Sequence, residues 1–439
     1  MRVPRYTSYP TAPHFSDAVG GETYADWLSN LNSGQNVSIY FHVPFCDTLC
    51  WFCGCHTKIV RNYKPVSDYI DVLKEEVCLV SARVHHRVKA THIHWGGGSP
   101  TILTGDDWLQ FVDLVAERFD IVSDAEIAVE MDPRDSTEDY VQTLARAGVN
   151  RVSVGVQDFD PEVQKAVNRI QGFETTERVI GWLRRHGISG LNMDLMYGLP
   201  HQTTERVVSM VDLAVGLEPQ RIALFGYAHV PWMKAHQTLI DAESLPDSTA
   251  RWDQAQAAAA RLVEAGYEAI GLDHFARPDD PLAEACRNGR LHRNFQGYTV
   301  DEAPVLLGFG ASAIGSLPEG YVQNQVPIED YENRVRNADF AIAKGIEFST
   351  EDRLRGEIIE RLMCDLRVDI GAIKAKHKMD DMDFGAEFAR LSPLVEDGIA
   401  LIEQDSVTVT EQGRPFLRLV AAVFDTYLKS GKARHSKAV

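Results

Sequence analysis

Four of the seven cysteines of this chain fall between Cys46 and Cys55. Three of them, Cys46, Cys50 and Cys53, have the spacing C-x3-C-x2-C and follow an apolar run at Val37–Phe41. Thiolates are soft ligands that select iron–sulfur clusters, zinc or copper. A structural zinc site usually has four protein ligands, often in two groups far apart in the sequence. A single group of three thiols therefore favours a cubane cluster in which one iron stays open to a small molecule.

Two other interpretations of the cysteines remain open at this point. A zinc knuckle is one, if Cys55, His42 or His56 supplies the fourth ligand. A ferredoxin-like cluster that only carries electrons is the other. A disulfide framework is disfavoured, because the number of cysteines is odd and most of them are clustered.

Charge and hydropathy narrow the class of protein. The chain has 439 residues and a formal net charge of −19. Such an acidic chain repels phosphate backbones, so nucleic-acid binding is not expected. No window approaches the ~18 uninterrupted apolar residues of a membrane span, and Met1–Tyr6 leads into no signal-peptide core. The sequence predicts a cytoplasmic protein with more than one domain.

From Val37 onward, short apolar segments alternate with amphipathic ones, which predicts parallel strands covered by helices. The strand candidates are Val37–Phe41, Thr91–Trp95, Glu126–Glu130, Arg151–Val154, Gly190–Met196 and Arg221–Phe225. The helix candidates are Val66–Val84, Asp106–Phe119, Glu138–Ala147, Thr175–His186 and Thr204–Leu217. Six such units predict an α/β fold with an open (β/α)6 barrel.

Polar residues and glycines follow the predicted strands where each of them ends. In parallel α/β folds, functional residues lie at the carboxyl ends of the strands. We therefore expect these segments to meet at one mouth of the barrel, next to the cysteines. In strand order they are Cys46–Cys55, Gly96–Ser99, Glu130–Asp132, Gln157–Asp158, Asp194 and Tyr227–His229.

The composition suggests three regions. Residues 1–35 resemble an extended arm, and residues 36–348 hold the catalytic domain with a substrate-side extension. Residues 349–439 are predicted to form a smaller, mostly helical domain with a hairpin near Ile399–Val409, a last helix near Pro415–Leu428 and a disordered basic tail.

A second group of functional candidates is basic: His274, Arg277, His292 and Arg293. Aromatic residues stand beside them, which suits a pocket for a polyanion with a flat body, and arginine binds carboxylates in a bidentate manner. The alternative is a set of surface ion pairs with nearby aspartates, which contribute little to stability.

Long motifs over nearly the whole chain resemble the family of oxygen-independent coproporphyrinogen III oxidases, which are radical S-adenosylmethionine (SAM) enzymes. Small departures are Ser99, where threonine is frequent, and Trp51, where tyrosine is frequent. The motifs are Pro4–Ala12, Cys46–Cys55, His94–Gly98, Gly155–Phe159, Tyr197–Pro200, His274–Pro278, His292–Tyr298 and Phe424–Leu428.

The resemblance implies roles for individual residues. Cys46, Cys50 and Cys53 would hold a 4Fe–4S cluster, and Cys55 would be catalytic without binding the cluster. Contacts to a first SAM are implied for Tyr40, Gly97, Glu130 and Ile314. Contacts to a second SAM are implied for Phe52, Gly98, Ser99, Gln157, Arg169, Asp194 and Ala228.

The resemblance also implies a reaction. A 5′-deoxyadenosyl radical would start the oxidative decarboxylation of two propionates of coproporphyrinogen III, giving the vinyl groups of protoporphyrinogen IX in haem biosynthesis. The four basic residues would bind this carboxylate-rich substrate. A flavodoxin or ferredoxin would donate electrons, and the protein would act as a monomer. The alternatives are a related radical SAM haem chaperone or haem-degrading enzyme, and a non-catalytic iron–sulfur or zinc protein.

Overall fold

The computed structural model describes residues 3–84 and 87–430 and divides them into two compact units. One unit, which we call the barrel unit, lies within 16–265 and 303–345. The other, which we call the second unit, lies within 1–15, 266–302 and 346–439. Both units are discontinuous in sequence. The division into 1–35, 36–348 and 349–439 stays a prediction, and the basic tail lies outside the described residues.

Six parallel strands form the centre of the barrel unit and are hydrogen-bonded in chain order. All six were predicted from the apolar runs, so the expected fold class is confirmed. In chain order they are β1 (Asn36–Val43), β2 (Lys89–Gly97), β3 (Asp120–Met131), β4 (Arg151–Gln157), β5 (Gly190–Tyr197) and β6 (Arg221–Gly226).

Helices connect these strands, and several begin with a side-chain cap. Thr104, Thr137 and Thr203 each accept a hydrogen bond from a backbone N–H in the first turn of their helix, which satisfies a donor that the helix leaves unpaired. The helices of this unit are Gly21–Ser29, Lys64–Arg83, Gly105–Arg118, Glu138–Arg146, Pro161–Ala166, Phe173–Arg185, Thr204–Gly216, Ser248–Glu264 and Ile328–Arg336.

Four further strands extend the sheet beyond β1, and the strand prediction missed them. The first, Leu306–Phe309, pairs parallel with β1 and places Gly308 opposite Tyr40. Next in order come Ile314–Leu317, Gly320–Asn324 and Ile342–Glu347. They are short, and each contains a glycine, so no period of apolar residues marks them.

Aromatic side chains fill the core beside β1 and β2. Phe41 and Trp95 lie 4.4 Å apart between ring centroids, and Trp95 and Trp108 lie 4.5 Å apart. All three are fully buried. Burial of such rings supplies much of the hydrophobic stabilisation of a core. This packing holds β1 and β2 rigidly in place. The cysteines and glycines lie at the carboxyl ends of these two strands.

The second unit joins the two ends of the chain. The hydroxyl of Tyr6 donates to Asp425 Oδ2 at 3.0 Å, and Tyr9 is hydrogen-bonded to Thr426 at 3.0 Å. The expected late hairpin is present as Ala400–Glu403 and Ser406–Val409. The other helices of the second unit are Pro281–Arg287, Thr350–Asp365, Ile370–His377, Gly385–Glu396 and Leu417–Ala422. Its other strands are Glu268–Ile270, His274–Ala276, His292–Asn294, Gly297–Thr299 and Arg367–Asp369.

Among the described residues, no helix is both long enough and apolar enough to cross a bilayer.

Candidate active site

The cysteine loop, Cys46–Cys55, begins on a short strand and then leaves the sheet. Phe45–Cys46 pairs in parallel with Lys58–Ile59, and the amide of Val60 donates to the carbonyl of Cys46 at 3.1 Å. Cys50 is buried, Cys46 and Cys53 are half-buried and Cys55 is exposed. The loop therefore returns to its starting point and places three thiols near the end of β1.

Two distant segments hold the backbone of this loop. From one side, the amide of Trp51 donates to Val167 O at 3.0 Å, and Asn168 Nδ2 donates to Leu49 O at 2.8 Å. This side of the loop is therefore fixed to the turn that follows the helix Pro161–Ala166.

From the other side, residues 234–237 donate to three carbonyls of the loop, and we call this segment the clamp. Lys234 Nζ binds Cys55 O at 2.8 Å, His236 Nε2 binds Cys53 O at 2.8 Å, and Gln237 Nε2 binds Phe52 O at 3.0 Å. Gln237 is fully buried. These bonds fix the chain path on both sides of Cys53.

Hydrogen-bond donors surround the sulfur atoms. The hydroxyl of Thr57 donates to Cys46 Sγ at 3.3 Å. Arg169 Nη1 and Arg134 Nη2 donate to Cys50 Sγ at 3.4 and 3.7 Å. Both arginines also bind Asp132, at 3.1 and 2.6 Å. Donors and positive charge of this kind stabilise a negatively charged cluster.

Arg169 has spare hydrogen-bonding capacity. Its side chain is 7% exposed, and its Nε is buried without a hydrogen-bond partner among the described residues. A buried N–H without a partner is costly, which is consistent with a ligand that completes the site. The three thiols and the donors around them fit a thiolate-bound iron–sulfur cluster.

The thiols differ in acidity. Burial raises the pKa of Cys46 to about 11. The hydrogen bond from the Cys55 thiol lowers the pKa of Cys53 to about 6 and raises that of Cys55 well above its ordinary value. Because metal ligation requires the thiolate, cluster binding must release the proton of Cys46. Cys53 is deprotonated more easily, because its pKa is lower.

His42, one of the histidines proposed for a zinc knuckle, is engaged through both ring nitrogens. His42 Nε2 lies 3.2 Å from the carbonyl of His56, and its Nδ1 is hydrogen-bonded to the hydroxyl of Tyr40 at 2.9 Å. In the part of the chain that the structure describes, no three His, Cys, Asp or Glu side chains are grouped as ligands of a single metal ion.

The glycine run after β2 packs directly on the cysteine loop. A Cβ atom on Gly98 would lie 2.5 Å from the carbonyl of Phe45 and 2.7 Å from Thr57 Oγ1. The amide of Ser99 donates to Phe45 O at 2.8 Å. Gly97 has φ +119°, a conformation that glycine tolerates. Only a residue without a side chain lets the two loops approach this closely.

The structure brings the four expected first-SAM residues to neighbouring strands. The amide of Gly97 donates to Glu130 Oε2 at 3.1 Å, and Tyr40 stacks on His94, which is hydrogen-bonded to Glu130. Burial opposes the ionisation of Glu130, but the bonds from His94 and Gly97 outweigh it and lower its pKa. Ile314 begins the strand next to Leu306–Phe309.

Three of the expected second-SAM residues also lie together, at the ends of β4 and β5. Arg169 Nη2 donates to Gly155 O at 2.6 Å, and Gly155 is opposite Asp194. A bulge between Gly155 and Gln157 gives Gln157 φ +69°. A β-bulge redirects a side chain at a strand end, which places the amide of Gln157 beside Arg169.

Of the other four residues of that set, Gly98 packs on the cysteine loop, and the last three lie on separate loops. Phe52 lies in the cysteine loop and packs on the apolar cluster of Val163 and Tyr227. Ser99 Oγ is hydrogen-bonded to Thr101. Ala228 follows β6 directly.

The four basic candidates belong to the second unit and differ in their surroundings. His274 binds Asp273 at 2.8 Å, and His292 binds Glu360 at 3.0 Å, which raises the pKa of His292. Burial opposes the ionisation of Asp273, but His274 and nearby arginines lower its pKa to about 2. Arg277 lies over the ring of Tyr267. The ion-pair interpretation therefore describes the histidines.

Arg293 is different. Its guanidinium lies 4.3 Å from the ring centroid of Tyr298, and Nη2 donates to Arg5 O at 3.4 Å. Its Nε and Nη1 are buried and have no hydrogen-bond partner among the described residues. This guanidinium can therefore donate hydrogen bonds to a carboxylate.

Sequence reasoning missed several residues of the site. Thr57, Arg134 and the clamp contact the cysteine loop from segments without a motif. Asp132 carried a signal, because it lies just past the end of a strand. The clamp gave none, because its side chains act on backbone carbonyls of a distant loop.

Comparison with known proteins agrees with this geometry. The model of the radical SAM superfamily matches residues 40–214. An oxygen-independent coproporphyrinogen III oxidase from Bradyrhizobium diazoefficiens is 50% identical over 438 residues, covering 100% of this chain and 97% of the relative. The enzyme of that name from Escherichia coli is 39% identical, covering 98% and 94%.

The chain belongs to the family of oxygen-independent coproporphyrinogen III oxidases. A solved structure of coproporphyrinogen III oxidase from Escherichia coli, described as a radical SAM enzyme, has a TM-score of 0.92 and 37% identity, covering 97% of this chain and 100% of that one. Membership in this family makes the chain a radical SAM oxidoreductase that uses a 4Fe–4S cluster and S-adenosylmethionine.

Proposed function

We propose that this chain catalyses the oxygen-independent oxidative decarboxylation of two propionate side chains of coproporphyrinogen III to vinyl groups, giving protoporphyrinogen IX in haem biosynthesis. The observation that carries the proposal is the packing of the cysteine loop on the glycine run, where Gly98 approaches Phe45 and Thr57. This contact supports the proposal, because the cysteines that would hold the cluster lie on a loop that packs against glycines that would bind SAM.

We assign the cluster to Cys46, Cys50 and Cys53. Thr57, Arg134 and Arg169 donate to two of these sulfurs and would stabilise the bound cluster. When both are bound, the cluster and SAM would supply the radical chemistry that starts the decarboxylation of a propionate. The protein itself has to bind and orient the reactants and keep water away from them.

Two SAM molecules are proposed, one for each group of residues. Tyr40, Gly97, Glu130 and Ile314 would hold the first, with the ionised Glu130 accepting from donors of the ligand. The second would be held by seven residues, namely Phe52, Gly98, Ser99, Gln157, Arg169, Asp194 and Ala228. Support for the second comes from Arg169, whose Nε is buried without a partner among the described residues.

The substrate carries four carboxylates, and His274, Arg277, His292 and Arg293 are the proposed binding residues. We further propose that a flavodoxin or ferredoxin donates the electrons, and that the protein is a cytoplasmic monomer. The exposed Cys55 would move a proton or a hydrogen atom, or position the substrate, without binding the cluster.

The experiment is anaerobic turnover of the reconstituted, reduced protein with SAM and coproporphyrinogen III. We expect 5′-deoxyadenosine and a porphyrinogen with two vinyl groups. Replacing Cys46, Cys50 or Cys53 by Ala should remove cluster iron and all product. Cys78→Ala is the matched control, because Cys78 lies on the helix Lys64–Arg83, outside the loop. Full iron content in all three loop variants would disprove the ligand assignment.

A further inference from the structure

One buried carboxylate of the barrel unit has no role in the function described so far. Glu76 lies on the helix Lys64–Arg83 and is only 4% exposed. It makes no ion pair among the described residues, yet three donors point at it. Buried carboxylates are expensive unless they are well hydrogen-bonded, so the position of Glu76 calls for a physical reason.

The three donors come from one neighbourhood of the chain. The amide of Gly310 and the hydroxyl of Tyr331 donate to Glu76 Oε2, each at 2.7 Å, and Asn324 Nδ2 donates to Oε1 at 2.7 Å. Asn324 Nδ2 also lies 3.0 Å from Gly310 O. Glu76 and Asn324 together therefore hold both polar groups of the Gly310 backbone.

Tyr69, two turns earlier on the same face of the helix, completes this arrangement. Its hydroxyl donates to His42 O at 2.8 Å and accepts from the amide of Ala311 at 2.8 Å. A Cβ atom on Gly310 would lie 2.6 Å from both His42 O and the Tyr69 hydroxyl, and Gly310 has φ +98°. The turn Gly310–Ala313 is thus locked against the end of β1.

Both locked segments lead to residues that we assign to the first SAM. His42 is hydrogen-bonded to Tyr40. The turn Gly310–Ala313 runs directly into Ile314, whose carbonyl lies against Gly308, the residue opposite Tyr40. A shift of the turn would therefore move Ile314 relative to Tyr40.

We propose that Glu76 is a positioning residue for S-adenosylmethionine: its carboxylate holds the turn Gly310–Ala313 and, through it, the spacing of Ile314 and Tyr40. This inference rests on the proposed function, because it takes these two residues as SAM contacts. Glu76 itself is not among the residues that we assign to SAM or to the cluster.

The role depends on ionisation. Both oxygens of the carboxylate accept hydrogen bonds, so a protonated Glu76 would turn a donor toward a donor. Burial raises the pKa of Glu76 to about 7, partly offset by the bonds from Tyr331, Gly310 and Asn324. The titratable groups on which its charge acts are Tyr24, Tyr69 and Tyr331, and the pKa of each is raised, so all three phenols stay neutral. The affinity for SAM should therefore fall as the pH drops through 7.

The test measures SAM binding to the cluster-loaded protein by calorimetry between pH 6 and 8.5. Glu76→Gln should keep its iron content and bind SAM roughly tenfold more weakly at high pH, as loss of a hydrogen bond to a charged group implies. Its affinity should no longer depend on pH in this range. Glu75→Gln is the matched control, because Glu75 is the exposed neighbour on the same helix.

A second variant keeps the test valid if Glu76→Gln does not fold. Tyr331→Phe removes a donor that helps to keep Glu76 ionised, so the midpoint of the pH dependence should move upward. Hydrogen exchange without SAM should also be faster at the amide of Gly310 in Glu76→Gln.

Three outcomes would count against the ideas separately. Equal SAM affinity of wild type and Glu76→Gln at pH 8.5 would overturn the positioning role alone. An unmoved midpoint in Tyr331→Phe would also overturn it. A wild type that binds its cluster but no SAM would overturn the proposed function and this inference with it.

Discussion

At the scale of single residues, the site combines charges and thiols whose properties depend on their neighbours. The pKa of Cys53 is lowered by the thiol of Cys55, and Arg169 divides its donors between Cys50 and Asp132. The spacing of the cysteines predicted the ligands, but it contained nothing about these partners. They depend on where other loops return in space.

Substitution of Cys55 can distinguish a catalytic loop from a site that only transfers electrons. We expect Cys55→Ser to keep the cluster and to bind SAM but to form little or no protoporphyrinogen, because its thiol is not needed as a ligand. Iron content and product yield are measured on the same preparation. Loss of the cluster would make Cys55 a ligand, and normal yield would remove it from the mechanism.

Arg293 tests the proposed substrate group. Arg293→Ala should weaken binding of coproporphyrinogen III, with a loss of about 2–5 kcal/mol if a buried carboxylate pair is broken, and should leave SAM affinity unchanged. Arg290→Ala is the matched control, since Arg290 is exposed and pairs with Glu284. Similar Michaelis constants of the two variants for coproporphyrinogen III would show that Arg293 does not bind the substrate.

At the scale of elements, the sequence predicted the six central strands and five of the six α-helices between them, because buried strands and amphipathic helices leave a clear apolar pattern. The sixth helix, Pro161–Ala166, has only six residues and was not predicted. The prediction also missed the strands from Leu306 to Asn324 and the short strands near His274 and His292. These are three to five residues long, too short for a period to be read. Ile314, which we propose as a SAM contact, was therefore found by resemblance and not by pattern.

The role of the clamp was not predicted from the sequence and is seen only in the structure. Gln237→Ala would leave the carbonyl of Phe52 and the amide of Val230 without their partner. We expect a loss of about 1–3 kcal/mol in unfolding free energy and slower cluster reconstitution, because the cysteine loop is less ordered. Thr238→Ala is the control, since Thr238 is exposed and bonds only locally. A reconstitution rate equal to that of wild type would show that the clamp is not needed.

At the scale of the whole molecule, stability and SAM binding make opposite demands on Glu76. Its pKa rises from an ordinary 4.5 to about 7 in the folded protein, chiefly through burial. The folded state therefore holds this proton more tightly than the unfolded state does. The stabilisation is complete below pH 4.5 and is lost as the pH rises through 7.

This linkage can be measured with the full chain. Between pH 4.5 and 7, the unfolding free energy of wild type should fall relative to that of Glu76→Gln by up to about 3 kcal/mol, since one pKa unit corresponds to about 1.4 kcal/mol. Taking the difference between the two proteins removes the titration of other groups, such as Asp158. Parallel curves for the two proteins over this range would contradict the raised pKa.

The joining of Tyr6 to Asp425 has a consequence for how the protein is made. The two residues are 419 positions apart, so the first segment leaves the ribosome long before its partner exists. At ordinary rates of translation the wait is on the order of 20–80 s. The barrel unit, which ends at Gly345, can fold earlier. The second unit can close only after Asp425 has been synthesised, and its early segment is exposed to chaperones and proteases until then.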